Sequence, residues 1–359
     1  MVLRSRALLV VPLLVFAACR GGDGGPSPYG EGETTGDGDP TGDGDPTGDG
    51  DPTGDGDPTG DGDPTGDGDG TKLDVLEFGD AATGGNEAGD EGCQKVDFLF
   101  VIDNSNSMSD EQQLLVDSFP EFIAAIEDAL PAASDFHIGV TKSDIFGFDD
   151  DPVPDPQNPC AYVLGGLLTH STPDDQKTGT GFDCEFSSAA NYMIDGPTLA
   201  EEFACVARVG TKGNTGERQA EATLAALSPN NSCSDGFLRK DALTVIIVIT
   251  DEDDDWSEPD ADLATNAQAW FDGVVAAEDG IESNVVFLLI SGGSPKWPDC
   301  GPLDLMTMTG ADDSPKLTAW ATKFSNHNIG SVCSAGYAEY LAQSIGVIET
   351  ACVDFEPIP

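Results

Sequence analysis

Asp103, Ser105 and Ser107 occupy alternate positions in Asp103-Asn104-Ser105-Asn106-Ser107, directly after the apolar run Val96–Ile102. One carboxylate and two hydroxyls at that spacing offer hard oxygen donors from a single loop, the donor type that small divalent cations prefer. Three oxygens are an incomplete cage, so the remaining ligands must lie downstream. Without them the run is only a polar strand-to-helix turn. Asn104 and Asn106 then form the turn, and Ser109-x-x-Gln112 reads as a capping box for the next helix.

Two further pieces follow. A glycine-rich loop, Val209-Gly210-Thr211-Lys212-Gly213-Asn214-Thr215-Gly216, opens a helix at Glu217. After the apolar run Leu243–Thr250 the chain reads Asp251-Glu252-Asp253-Asp254-Asp255. Together the three pieces resemble the von Willebrand factor A domain and its metal-ion-dependent adhesion site, over roughly residues 96–349. The resemblance implies that Asp103, Ser105, Ser107, one loop threonine and Asp251 hold the metal. Thr215 fits the spacing to the following helix, and Thr211 fits the Gly-Thr start of the loop. Hydroxyls bind the ion directly as neutral donors, while the two aspartates balance its charge and hold coordinated waters. Magnesium is the expected ion, with manganese or calcium as alternatives. One exchangeable position remains for the Asp or Glu carboxylate of a protein ligand, which would make binding cation-dependent. Glu252 to Asp255 read as an ordinary solvated acidic run.

Catalysis is poorly supported by the motifs. A metal-dependent phosphohydrolase could use Asp103 as nucleophile, but the general acid expected two residues on is replaced by Ser105. There is no Gly-x-Ser-x-Gly elbow and no phosphate-binding glycine loop. His137 falls inside an apolar run and reads as structural. The sequence therefore points to a binding module rather than an enzyme. A purely structural surface protein, its metal used by no partner, is the remaining alternative.

The elements that must position these residues alternate between strand and helix. Strands are expected at 96–102, 136–141, 243–250, 285–291 and 329–332. The run Leu243–Thr250 is β-branched almost throughout, as befits a strand buried on both faces. Helices are expected at 109–130, 199–207, 217–227, 261–277, 316–324 and 337–349, with Pro120 breaking or kinking the first. Such alternation implies an α/β fold, a doubly wound and mostly parallel sheet flanked by helices, with ligands at the carboxyl ends of the strands. The Pro-, Gly- and Asp-rich segment 146–197 reads as a loop insertion carrying two cysteines.

The ends and the composition say where such a domain would sit. Arg4 and Arg6 precede an apolar stretch, Ala7 to Phe16, too short to span a bilayer. It closes on Ala17-Ala18-Cys19, which resembles a bacterial lipobox. Residues 1–18 are thus expected to be a lipoprotein signal and Cys19 the lipidated residue. That makes lipid the sole membrane attachment, in a bacterial cell envelope. Residues 19–92 read as an acidic linker in which Thr-Gly-Asp-Gly-Asp-Pro recurs from 35 to 70, too poor in apolar residues to bury a core. The net charge of −51 repels nucleic acid and favours cations.

Besides Cys19, eight cysteines remain, an even number that suits disulfides in an exported chain. The pairings expected are Cys93–Cys352, Cys160–Cys184, Cys205–Cys233 and Cys300–Cys333.

Overall fold

The computed structural model describes residues 92–145, 159–172, 182–214, 216–255 and 263–358. The signal, the linker and its repeats, Cys19 and Thr215 lie outside the described residues. The apolar runs form one six-stranded sheet: β1 (Lys95–Ile102), β2 (Asp135–Lys142), β3 (Met193–Ile194), β4 (Leu243–Ile249), β5 (Val285–Ser291) and β6 (His327–Ser331). Its order is β3-β2-β1-β4-β5-β6, all parallel except β3, which runs antiparallel to β2. Helices α1 (Ser109–Ala129), α2 (Leu199–Val206), α3 (Gln219–Ala226), α4 (Leu263–Ala277), α5 (Pro315–Ala321) and α6 (Ala338–Val353) flank it. The doubly wound α/β architecture is therefore the one expected.

Period-two alternation divides the core between the two faces of the sheet. Phe98, Phe100 and Ile102 of β1 pack with Val245, Ile247 and Ile249 of β4 against α1, α2 and α6. Leu99 and Val101 pack with Ile246 and Val248 against α3, α4 and α5. With both faces covered, every residue of β4 and of β5 is buried. This explains why those two runs carry no polar alternation.

Several expectations need correcting. Pro120 does not break α1, which runs through it. Its neighbours Phe119 and Phe122 are buried in the core, and packing of that face outweighs one lost backbone hydrogen bond. Met108 rather than a serine occupies the N-cap of α1, without a side-chain cap bond. The insertion 146–197 is described only in part, and its end supplies β3, the antiparallel edge strand, which is too short to show as periodicity.

Two disulfides pair as expected, Cys93–Cys352 and Cys300–Cys333. The other two exchange partners. Cys160 joins Cys233 and Cys184 joins Cys205, in place of Cys160–Cys184 and Cys205–Cys233. The insertion is thus not closed on itself: each of its cysteines is tied to a different later segment, one of them α2. His137 behaves as a structural residue, its ring stacked 4.1 Å from Tyr192 and its Nδ1 2.9 Å from the Phe237 carbonyl oxygen. Among the described residues no helix is long and apolar enough to cross a membrane.

Candidate metal centre

β1 and β4 lie side by side in parallel register, Ile102 opposite Ile249. Strand order reverses between them, because the chain winds outward through β2 on one side and through β5 on the other. That is the topological switch point of a doubly wound sheet, where the strand ends leave a crevice. Asp103 leaves the end of β1 and Thr250-Asp251 the end of β4, so the two sequence-distant acidic motifs meet there.

All four described members of the expected set are enclosed: Asp103 and Asp251 are fully buried, Ser105 is 2% exposed and Ser107 1%. Asp103 is anchored at both oxygens. Its Oδ1 accepts the Ser105 backbone N–H at 2.6 Å and its Oδ2 the Thr250 hydroxyl at 2.6 Å. The Asp103 N–H donates to the Ile249 carbonyl at 3.0 Å, locking the loop to β4. Gln112, read from sequence as half of a capping box, instead spans the site. Its Nε2 donates to the carbonyls of Asp103 (3.0 Å) and Gly210 (2.8 Å).

The glycine-rich loop closes over this turn. The Gly213 N–H donates to the Asn104 carbonyl at 2.8 Å, and a Cβ on Gly213 would lie 2.5 Å from Asn104 Nδ2. Only glycine permits that approach. Asn104 is therefore more than a turn former: its Oδ1 also lies 3.1 Å from the Ser143 Oγ. Thr211 is buried and lines a cleft with Ser109, Gln112 and Arg208. Thr215 is the member that lies outside the described residues.

Two carboxylates missed in the sequence join the centre. Oxygens of Asp103, Glu217 and Glu252 all lie within 4.8 Å of one another. Glu217 was expected to open a helix, but α3 begins at Gln219 and leaves Glu217 in the loop, its Oε2 held by the Ser143 hydroxyl at 2.6 Å. The acidic run after β4 is not solvated as expected. Asp253 accepts the backbone N–H groups of Lys316 and Leu317 at 3.1 Å each, capping α5, and Asp254 accepts that of Ala220 at 3.0 Å at the start of α3. Side chains used to fasten helix ends are buried with them. Only Asp255 in this run is exposed.

Electrostatics follow from this crowding. Burial first, then repulsion from Asp103, pushes Asp251 up to about 7. Burial, Asp103 and Asp251 raise Glu252 to about 8. Asp103 is also raised by burial, against the hydrogen bonds from Thr250 and Ser105 that favour its charge. Glu217 lies well above the usual carboxylate range, again through burial and then Asp103. Charge repulsion on Asp251, Glu217 and Glu252 comes from neighbouring carboxylates, which is the electrostatic situation a cation relieves.

Hydrogen bonding gives the same answer independently. Ser105 Oγ, Ser107 Oγ, both Asp251 carboxylate oxygens, Glu217 Oε1 and Glu252 Oε2 are buried without a hydrogen-bond partner of good geometry. The Ser107 hydroxyl is nevertheless close enough to Asp251 to ease its ionisation. Buried polar atoms are ordinarily paired, so these oxygens leave room for a further partner such as a cation. The donors are all oxygen, with no sulfur or imidazole, and they suit a hard cation of the magnesium, manganese or calcium type.

Fold and centre together define a doubly wound α/β domain with a buried cluster of carboxylates, Asp103, Glu217 and Glu252, at its switch point that could hold a metal ion. No family model and no curated protein sequence matches the chain. Among solved structures it is similar to proximal thread matrix protein 1 of the mussel byssus, in a form with a zinc-occupied metal-ion-dependent adhesion site. The identity is 14%, over 72% of this chain and 49% of that one, with a TM-score of 0.35. A second crystal form of that protein gives 14% identity, the same coverages and a TM-score of 0.34. The human COPII-coat protein Sec24c gives 10% identity over 73% and 32%, with a TM-score of 0.30. The chain thus spans less than half the length of these proteins. Superpositions this loose leave the fold resting on strand order and crossover, as described above.

Proposed function

We propose that the chain is a cation-dependent protein-binding module. Asp103, Ser105, Ser107, Asp251 and a threonine of the 209–216 loop, Thr215 or Thr211, hold a magnesium ion, or manganese or calcium in its place. The ion supplies a Lewis-acidic position that a partner's Asp or Glu carboxylate completes. The protein's own groups orient the donors, keep the crevice dry and carry the compensating negative charge. A lipid on Cys19 and the acidic linker 19–92 display the module from a bacterial cell envelope, and no nucleic acid is involved.

The observation that supports this reading is that Ser105, Ser107 and Asp251, which follow the ends of two adjacent central strands, each bury side-chain oxygens without a hydrogen-bond partner. The test is capture of envelope proteins by the mature chain with magnesium and with EDTA. Support is a bound protein released by EDTA and lost with Asp251→Ala; binding indifferent to both would refute the adhesive role.

A second reading draws on the trio Asp103, Glu217 and Glu252. Asp103 and Glu217 are fully buried, so an ion held by this trio would fasten the glycine-rich loop to β1 and serve stability alone. Glu217→Gln separates the readings. It would abolish ion binding if the trio is the site, and leave it in place if the serines and Asp251 are.

A further inference from the structure

Next to the metal centre, a cleft of about 520 Å³ opens between the first turn of α1 and the segment after β5. Four carboxylates line it: Asp110 and Glu111 from the helix, and Asp299 and Asp304 from the far wall. No lysine or arginine is among the lining residues. An acidic cluster alone says little, and two of the four have internal duties. Asp304 accepts the Met306 N–H at 2.9 Å, and Asp299 accepts the Ser331 hydroxyl at 3.0 Å.

Glu111 differs. The residue is 6% exposed, and its Oε2 is enclosed without a hydrogen-bond partner. An acid in a first helical turn serves the helix dipole, but Asp110 does so from an exposed position. Nothing in the helix requires Glu111 to be buried. Burial pushes its carboxyl up to about 9, helped by Asp110 and Asp251, and a positive donor entering the cleft would reverse that shift.

The far wall is rigid. Cys300–Cys333 staples it, Asp304 and Thr309 exchange backbone hydrogen bonds, and Gly310 sits at φ +86°, where a Cβ would lie 2.2 Å from the Pro302 carbonyl oxygen. It is joined to the metal centre by the Asp312 N–H, which donates to the Asp251 carbonyl at 2.8 Å. Leu114 lines the cleft, and Leu305 and Met306 project from the Asp304–Thr309 turn, 53% and 94% exposed. The ligand this suits has a cationic head and an aliphatic stem.

We propose that this cleft receives an arginine or lysine side chain of a basic partner protein, its charged head against Glu111 and Asp110 and its stem along Leu114. The net charge of −51 favours approach of such a partner. The site does not depend on a bound metal, so its success or failure is separate from that of the metal centre.

The test titrates the mature full chain with acetyl-arginine amide and with its neutral isostere acetyl-citrulline amide, in EDTA, by NMR or calorimetry. The arginine probe is expected to bind with a millimolar Kd and the citrulline probe at least about tenfold more weakly, the difference a charge-assisted hydrogen bond makes. Glu111→Gln should lose about tenfold in arginine affinity while binding magnesium as the wild type does. Asp110→Asn, at an exposed position, should weaken arginine binding without affecting the fold. Equal binding of both probes would overturn the proposal, as would unchanged arginine binding in both variants. So would a Glu111→Gln variant that loses magnesium binding while retaining the arginine probe.

Discussion

The Thr250 hydroxyl donates to Asp103 Oδ2 at 2.6 Å, tying the end of β4 to the end of β1 at the point where the two acidic motifs meet. Thr250 is itself held by Gln219 Nε2 at 2.9 Å, so α3 reaches Asp103 through it. The hydroxyl orients the carboxylate without touching the proposed ion. Thr250→Val keeps shape and burial but removes that donor. Loss of such a supporting bond typically weakens a metal site by about 10- to 100-fold. Calorimetric titration with magnesium should show a loss in that range, with the circular-dichroism spectrum unchanged.

Metal binding should tighten as pH rises from 6 to 8. In the metal-free chain Asp251 and Glu252 titrate near 7 and 8, so both hold protons at pH 6 that a cation must displace. Each displaced proton adds up to about tenfold in affinity per pH unit until its group ionises unaided. Titrations in two buffers of different ionisation enthalpy would reveal the released protons. Equal affinity at pH 6 and pH 8 would mean that the ligands are already ionised.

Glu278 offers a pH effect away from the metal. It is 1% exposed, accepts the Thr244 hydroxyl at 2.9 Å, and is pushed up to about 7 chiefly by burial, against Thr244 and Lys240. Its folded pKa exceeds the ordinary 4.5, so the folded state binds the extra proton. That contribution is full below about pH 4.5 and is lost as pH rises through 7. Glu278→Gln keeps the acceptor oxygen and cannot ionise. It should match the wild type at pH 4.5 and exceed it by up to about 3 kcal/mol at pH 8. Urea denaturation at the two pH values measures this.

Cys93–Cys352 joins residues 259 apart, and the Cys93 N–H also donates to the Cys352 carbonyl at 3.1 Å. Replacing both cysteines with serine frees the two ends of the domain. In the chain-entropy view a loop this long costs about 5 kcal/mol of stability. Guanidinium denaturation of the oxidised double variant should show a shift of that order. Peptide mapping should recover Cys160–Cys233 and Cys184–Cys205 intact.

The sequence revealed what depends on runs of residues and hid what depends on closure. Leu243–Ile249 was readable as a central strand because burial on both faces leaves its composition no choice. Asp103 and Asp251 were readable because each ends such a strand. Glu217 was not, because its approach to Asp103 depends on how the glycine-rich loop folds over Asn104, and Glu252 was not, because its approach depends on β1 and β4 lying side by side. The signals existed: an acid directly after Thr215-Gly216, and another directly after Asp251. The exchanged partners of Cys160, Cys184, Cys205 and Cys233 were hidden for the same reason, since pairing depends on where β3 and α2 are placed in space. Asp253 and Asp254 looked solvated only because helix-capping partners 64 and 34 residues away cannot be seen in a local run.

The central claim is that Ser105, Ser107 and Asp251 complete a cation site around Asp103. Manganese titration of the metal-stripped chain, followed by electron paramagnetic resonance, tests it most directly. The prediction is one tightly held ion per chain, displaced by magnesium and lost in an Asp251→Ala variant whose circular dichroism remains native. An ion that stays bound in Asp251→Ala, or no bound ion in the wild type at pH 8, would contradict it.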